Sequence, residues 1–297
     1  MEIYLGCSGW SYDAWKGPFY PEDLDNRGWL SYYSQVFKFV EIDSTFYRIP
    51  SKLMVRNWVR RTPDNFKFTV KFPKAITHDK QPLDTINENL ERFYEVMKPL
   101  QSKIVAFLIQ LPPWLDIMKG LKFLKTIQFQ LDNSYRYAIE VRHYSWFNDL
   151  AFNYFKQNDF CLVWSQQDVL VTPPVFTTDF VYLRLIGNRN IDEKDFGKIQ
   201  NDRRREMQKW SNILNDVKNT KSIIKMAIVS ANNHYAGFGP MTAKLFAEMM
   251  DIKEKIQFPL LKYKKTIIEN IENESYSKFE NINYKKTKQS SISDFFE

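Results

Sequence analysis

Five charged residues occupy alternate positions in short apolar runs, which places them together on one face of an extended chain. In Val40-Glu41-Ile42-Asp43 two carboxylates oppose two aliphatic side chains. In Ile139-Glu140-Val141-Arg142 a carboxylate and a guanidinium do so, and in Leu183-Arg184-Leu185 one arginine opposes two leucines. Lys71, Asp168 and the pair Asn232-Asn233 close three further runs. Carboxylates and cations mixed on one rim offset each other's desolvation and leave groups poised for proton transfer. The competing reading is a network of buried ion pairs that only fills a core layer. It suits Glu41, deepest in its run, whereas Glu140, Arg142 and Arg184 suit a site.

The rim also carries groups that match phosphate. Arg142 and Arg184 offer planar forks for phosphate oxygens. Gly237-Phe-Gly239-Pro240 precedes a helical run whose first N–H groups would face an anion, although a plain tight turn accounts for it equally well. All three histidines, His78, His143 and His234, fall just past apolar runs. With Asp43, Glu140 or Asp168 they could hold one divalent metal, but no HExxH-type ligand pair is present. Glu140 or Asp168 is the expected general base, and His143 or His234 the proton donor. Lys71, Asn232 and Asn233 are further substrate contacts. Among the aromatics of the same region, Trp10, Tyr47 and Tyr235 are the best stacking candidates, the others being packing.

The elements that must position these groups follow from period. Apolar β-rich runs stand at about 3–8, 37–43, 66–72, 104–111, 135–142, 160–166, 180–187 and 225–232. Helical spacing fills 52–61, 85–99, 118–131, 146–157, 202–218 and 240–251. Strand and helix alternating through eight units predict an α/β fold, a (β/α)₈ TIM barrel. A doubly wound sheet is the alternative, but the GxGxxG that would follow its first strand is missing. In such barrels the site lies at the strands' C-terminal ends, where the rim residues above fall.

Composition changes after Asp251. Residues 1–251 read as the barrel, 252–288 as an extension and linker, and 289–297 as a terminal motif. The linker is rich in Lys, Glu, Asn, Ile and Tyr, lacks glycine, and is expected to become a mobile tether from about residue 275. The 297-residue chain is 44% hydrophobic and 26% charged, as expected of a soluble globular protein. A net charge of +7 permits binding to a polyanion, DNA included, without demanding it. Cys7 and Cys161 lie within strand runs and have no CxxC partner, so they read as reduced core thiols. No apolar run approaches bilayer length and no signal peptide is evident, so a cytoplasmic protein with no membrane partner is expected.

Longer motifs carry a resemblance. Gly6-Cys-Ser-Gly-Trp10-Ser-Tyr, Val40-Glu41-Ile-Asp43-Ser-Thr-Phe46-Tyr47-Arg48, Lys71-Phe-Pro, Gln110-Leu-Pro-Pro113, Glu140-Val-Arg142-His143-x-Ser-Trp146, Tyr182-Leu-Arg184-Leu-x-Gly187 and Asn232-Asn233-His234 resemble the YecE-like family, domain of unknown function 72. The resemblance is collinear over residues 1–250 and implies a TIM barrel, without implying a reaction. Asp43 stands where the family usually has asparagine, and Ile186 where histidine is common.

A second resemblance lies at the end of the chain. Gln289-x-x-Ile292-x-x-Phe295-Phe296 sets three large apolar groups at i, i+3 and i+4 after the basic run Lys285-Lys286-Thr-Lys288. It resembles the PIP box, the peptide with which replication and repair proteins dock on the sliding clamp PCNA, the glutamine in a polar pocket and the other three in an apolar one. This implies an archaeal source and a role in DNA replication or repair. The barrel would act on a phosphate-containing nucleic acid or nucleotide, as a phosphodiester hydrolase or nuclease. The alternatives are a small-molecule enzyme of sugar or nucleotide metabolism unrelated to the clamp, or a non-catalytic clamp adaptor.

Overall fold

The apolar runs become parallel strands. The computed structural model describes residues 1–252 apart from 80, 221 and 222, together with Ile256 and Phe258. The motif residues Gln289, Ile292, Phe295 and Phe296 therefore lie outside the described residues, as does most of the expected linker. The strands are β1 (Glu2–Ser8), β2 (Phe39–Ile42), β3 (Lys67–Lys71), β4 (Ile104–Gln110), β5 (Tyr137–Glu140), β6 (Phe160–Leu162), β7 (Trp164–Gln167), β8 (Phe180–Gly187) and β9 (Met226–Ala231). They run in the order β6-β5-β4-β3-β2-β1-β9-β8-β7, and every neighbouring pair is parallel.

The two ends of that order are one stave. Only Val163 separates β6 from β7, and its N–H bonds to the Ile139 carbonyl at 3.0 Å. The first segment pairs with β5 and the second with β8. Eight staves thus make a nearly closed barrel, in agreement with the eight-unit repeat.

Helices cover the outside: α1 (Trp29–Val36), α2 (Lys52–Arg60), α3 (Lys74–Thr77), α4 (Leu83–Met97), α5 (Ile117–Ile127), α6 (Asp149–Gln157), α7 (Arg204–Asn219), α8 (Asn233–Ala236) and α9 (Gly239–Met249). Side-chain caps start α2, α5 and α6 among them. Ser51 accepts the Met54 N–H, Asp116 that of Lys119 and Asn148 that of Ala151, each meeting one otherwise unpaired donor. Helix α1 was not expected from the sequence, because its apolar residues surround it rather than form a stripe; six of its residues, Trp29 to Ser34, are buried.

Period-two alternation sets the barrel interior. The inward residues of the strands' first halves form an apolar cluster that includes Tyr4, Phe39, Ala106, Ala138, Cys161, Phe180 and Met226. Continuing by two along the same strands reaches Ser8, Glu41, Lys71, Gln110, Glu140, Ser165, Arg184 and Ser230, all buried. The interior is therefore apolar at the bottom and polar at the top. Cys7 and Cys161 are buried and unbridged. Beyond Asp251, Phe258 packs edge-on against Phe19 and Phe238, with ring centroids 5.4 and 6.1 Å away. Among the described residues, no helix is long and apolar enough to cross a membrane.

Candidate functional site

Arg184 lies between two carboxylates brought from other staves. Its Nε donates to Glu41 Oε2 at 2.8 Å and its Nη2 to Glu41 Oε1 at 2.5 Å, while Nη1 donates to Glu140 Oε2. Glu140 Oε1 accepts from Arg142 Nε at 2.7 Å. The Ser8 hydroxyl at 2.9 Å and the Tyr182 hydroxyl complete Glu41. Charge therefore alternates along Glu41, Arg184, Glu140 and Arg142, leading from the barrel interior to its mouth.

Both carboxylates are fully buried, which alone would raise their pKa values. For Glu41 the charge and hydrogen bonds of Arg184, then those of Tyr182 and Ser8, outweigh burial and lower it. For Glu140 burial is outweighed by Arg142, Arg184 and Lys71, which hold it at about 2. Glu41 is thus the filled-layer residue the alternation suggested. Arg184 is committed to the same layer, since three of its nitrogens serve carboxylates. Glu140, so firmly ionised, is a weak base. Arg142 differs: its side chain is 14% exposed, and beyond the Nε bond its guanidinium has no partner among the described residues.

Lys71 forms a second arm. It is 6% exposed, donates from Nζ to Gln110 Oε1 at 2.7 Å, and lies 3.9 Å from the Phe46 ring centroid. No ion pair reaches it among the described residues. Burial first, then the Arg184 and Arg142 charges, lower its pKa to about 7 against the pull of Glu140 and Asp43. Gln110 Nε2 meets His78 Nε2 at 3.4 Å, and His78 Nδ1 shares a hydrogen with the Thr77 hydroxyl at 2.8 Å. Burial, then Lys71 and Arg142, lower half-buried His78 to about 4, so this ring is neutral at physiological pH. Asp43 is half-buried, and its carboxyl is raised by burial first and by Glu41 second. Tyr47, 51% exposed, stands edge-on to Phe46, and Arg189 adds its charge to the surroundings of Arg142, Tyr47 and Glu140. Trp10, half-buried, stands edge-on to Trp58 at 5.8 Å.

The remaining expected residues are distributed differently. Asp168 accepts from Arg203 Nη2 at 2.6 Å, which commits it to that arginine rather than to Glu140. His143 is exposed, and its Nδ1 lies 2.8 Å from the Ser145 hydroxyl and caps the turn at Tyr144–Trp146. His234 is half-buried, edge-on to Phe196 at 4.9 Å, with its pKa lowered by burial and then by Arg189. Among the described residues no three of the His, Cys, Asp and Glu side chains gather as metal ligands would, so the histidine trio does not converge.

The glycine turn needs a correction. Gly237, at φ +102°, donates its N–H to the Asn233 carbonyl at 2.7 Å, and Gly239 donates to Asn233 Oδ1 at 2.9 Å. Both donors serve the fold, so neither glycine N–H is free to hold phosphate. Asn233 also accepts from Trp15 Nε1 at 3.1 Å, and Asn232 caps α8 through the His234 N–H at 3.0 Å. Tyr235 is 1% exposed beneath Arg203 and offers no stacking face.

Sequence reasoning missed Gln110, Ser8, Tyr182 and Arg189. The first three were accessible through parity, since each lies an even number of residues from an inward neighbour. Arg189 follows the end of β8 in a loop with φ +62°, where no period applies.

This geometry has counterparts. A family model described as protein of unknown function DUF72 matches residues 4–265. The UPF0759 protein YunF of Bacillus subtilis is 31% identical over 153 residues, 49% of this chain and 52% of that protein. The UPF0759 protein YecE of Escherichia coli K12 is 30% identical over 145 residues, 49% of this chain and 50% of that one. The chain thus spans about half the length of the curated relatives it matches. A crystal structure of a DUF72 family protein from Thermotoga maritima superposes with a TM-score of 0.70 at 27% identity, covering 84% of this chain and all of that one. One from Enterococcus faecalis gives 0.68 at 23%, covering 88% of this chain and 100% of that one, and speaks to the fold alone. These relatives are bacterial and give no support to the archaeal source that the terminal motif implies. With the eight-stave barrel, its polar upper layer and a match over residues 4–265, the chain belongs to the DUF72 family.

Proposed function

We propose that the barrel mouth binds a phosphate-bearing substrate and performs proton-transfer chemistry on it, and that the terminal peptide tethers the barrel to a sliding clamp. One observation carries the first half: a partly buried guanidinium at the end of β5, Arg142, is anchored at Nε by Glu140 and unpartnered at both Nη atoms among the described residues. Its free edge matches two phosphate oxygens. Arg189 adds positive charge nearby, and Tyr47 supplies an exposed ring at the same mouth. Arg184 contributes indirectly, by holding Glu140 so that Glu140 can hold Arg142.

The clamp half rests on sequence. Gln289, Ile292, Phe295 and Phe296 present the spacing of a clamp-docking peptide, and a tether raises local concentration at DNA to roughly millimolar without demanding affinity from the barrel. In this reading the substrate is a nucleic acid or nucleotide, and the enzyme serves DNA replication or repair.

Two measurements test the halves separately. Calorimetry with inorganic phosphate is expected to give binding that Arg142→Gln weakens at least tenfold; equal binding by both would remove the anion reading. Pull-down on PCNA is expected to lose the protein when residues 289–297 are deleted. Retention by the truncated chain, or no capture of the full one, would leave a small-molecule enzyme instead.

A further inference from the structure

Lys71 is a buried amine whose side chain makes no ion pair among the described residues. The groups facing it come from every adjoining stave: Asp43 after β2, Gln110 on β4, Glu140 and Arg142 at the end of β5, Arg184 on β8, and His78 after α3. Its one direct polar partner among the described residues is a neutral amide oxygen, Gln110 Oε1 at 2.7 Å. A second N–H can point at the Phe46 face, whose centroid is 3.9 Å away. In the neutral amine those two contacts use both hydrogens and leave the lone pair for an electrophile. The nearby guanidinium groups of Arg142 and Arg184 disfavour the ammonium form, and with burial they bring the amine to about 7. A lysine desolvated beside other cations is the ordinary way to obtain a nucleophilic amine at neutral pH.

We infer that Lys71 is a catalytic nucleophile that forms an imine with an aldehyde or ketone carrying a phosphate held by Arg142. This rests on the anion-binding reading of the mouth. Nζ attacks the carbonyl carbon, forming a C–N bond as the C=O π pair moves to oxygen. Nζ then loses one proton to solvent and the alkoxide oxygen takes one from it, giving the neutral carbinolamine. Asp43, whose carboxyl is raised by burial and by Glu41, donates a proton to the carbinolamine hydroxyl. That oxygen leaves as water, and the nitrogen lone pair forms the C=N⁺ bond. No oxidant or reductant is needed. The substrate can be a small phosphorylated carbonyl compound or the ring-opened sugar of an abasic site, which lies between two phosphates.

The full chain is incubated with dihydroxyacetone phosphate, with an abasic-site duplex, or with unphosphorylated acetaldehyde, each reduced with borohydride and mapped by peptide mass. A stable adduct on Lys71 with either phosphorylated probe is expected, and the responding probe identifies the source. Its yield should rise about tenfold per pH unit below 7 and then level off, the profile of one titrating amine. Lys71→Met should lose the adduct while remaining folded; if that variant does not fold, the mapped site in the parent chain decides. Absence of an adduct at Lys71, or adducts only on other lysines, overturns the inference, and phosphate binding measured in the same preparation shows whether the anion site itself survives. Acetaldehyde trapped on Lys71 as readily as the phosphorylated probes overturns the substrate class.

Discussion

At the scale of single residues, the mouth separates groups that hold from groups that are free to act. Arg184 holds: replacing it with methionine leaves Glu41 buried with hydroxyl partners only and Glu140 with Arg142 alone, and should cost about 3–5 kcal/mol by urea unfolding. Arg142→Gln removes one charge-assisted bond from a partly exposed position, so about 1.5–3 kcal/mol is the expected loss. The larger effect of that change should be on phosphate binding. This ordering explains which roles could be read from sequence. Alternation showed that Glu41, Glu140, Arg142 and Arg184 share a face, but it carries no information on which guanidinium nitrogens are already taken. Arg184 and Arg142 look alike in one dimension and differ only once the carboxylates from β2 and β5 converge on the former. Asp168 was misjudged for the same reason, its partner Arg203 lying 35 residues away.

At the scale of elements, strands were more legible than loops. Each expected apolar run became a strand within about three residues at each end, because parallel barrel strands are buried on both faces and read as continuous aliphatic stretches. Short pieces such as α3 and α8 escaped notice, being single turns with no period to detect. Packing between α5 and the loop before α6 sets a strict demand that sequence does not announce. Trp146 is fully buried, donates from Nε1 to the Leu115 carbonyl at 2.9 Å, and stacks on Phe155. Its ring lies over Gly120, where a Cβ would sit 2.0 Å from Cζ2. Gly120→Ala should therefore destabilise by about 1–3 kcal/mol, although alanine is the better helix former, and lower the urea midpoint accordingly.

At the scale of the whole molecule, the ionisable interior makes stability depend on pH in separate windows. Lys71 has a folded pKa of about 7 against an unfolded value near 10.4, so its contribution is fully present above 10.4 and declines as pH falls to about 7. His78, at about 4 in the fold, stabilises above its unfolded value of about 6.5 and loses that between 6.5 and 4. Glu140, at about 2, stabilises above about 4.3 and loses that as pH falls through 2. Unfolding of Lys71→Met beside the parent chain should isolate the first window: the difference should shift in the variant's favour from pH 10 to 7 and level off below about 6. A flat difference across that range would mean the amine titrates normally. The stave made of β6 and β7 has its own bearing on this interior. At Val163 the ladder hands over from one neighbour to the other, so each flank of the ring is stitched there by only a few rungs. Ser165, just past that stitch, is in register with Arg184. Breathing of the barrel at this seam would let water toward the arginine's cage, which ties the looseness of a backbone hem to the dryness of a charge.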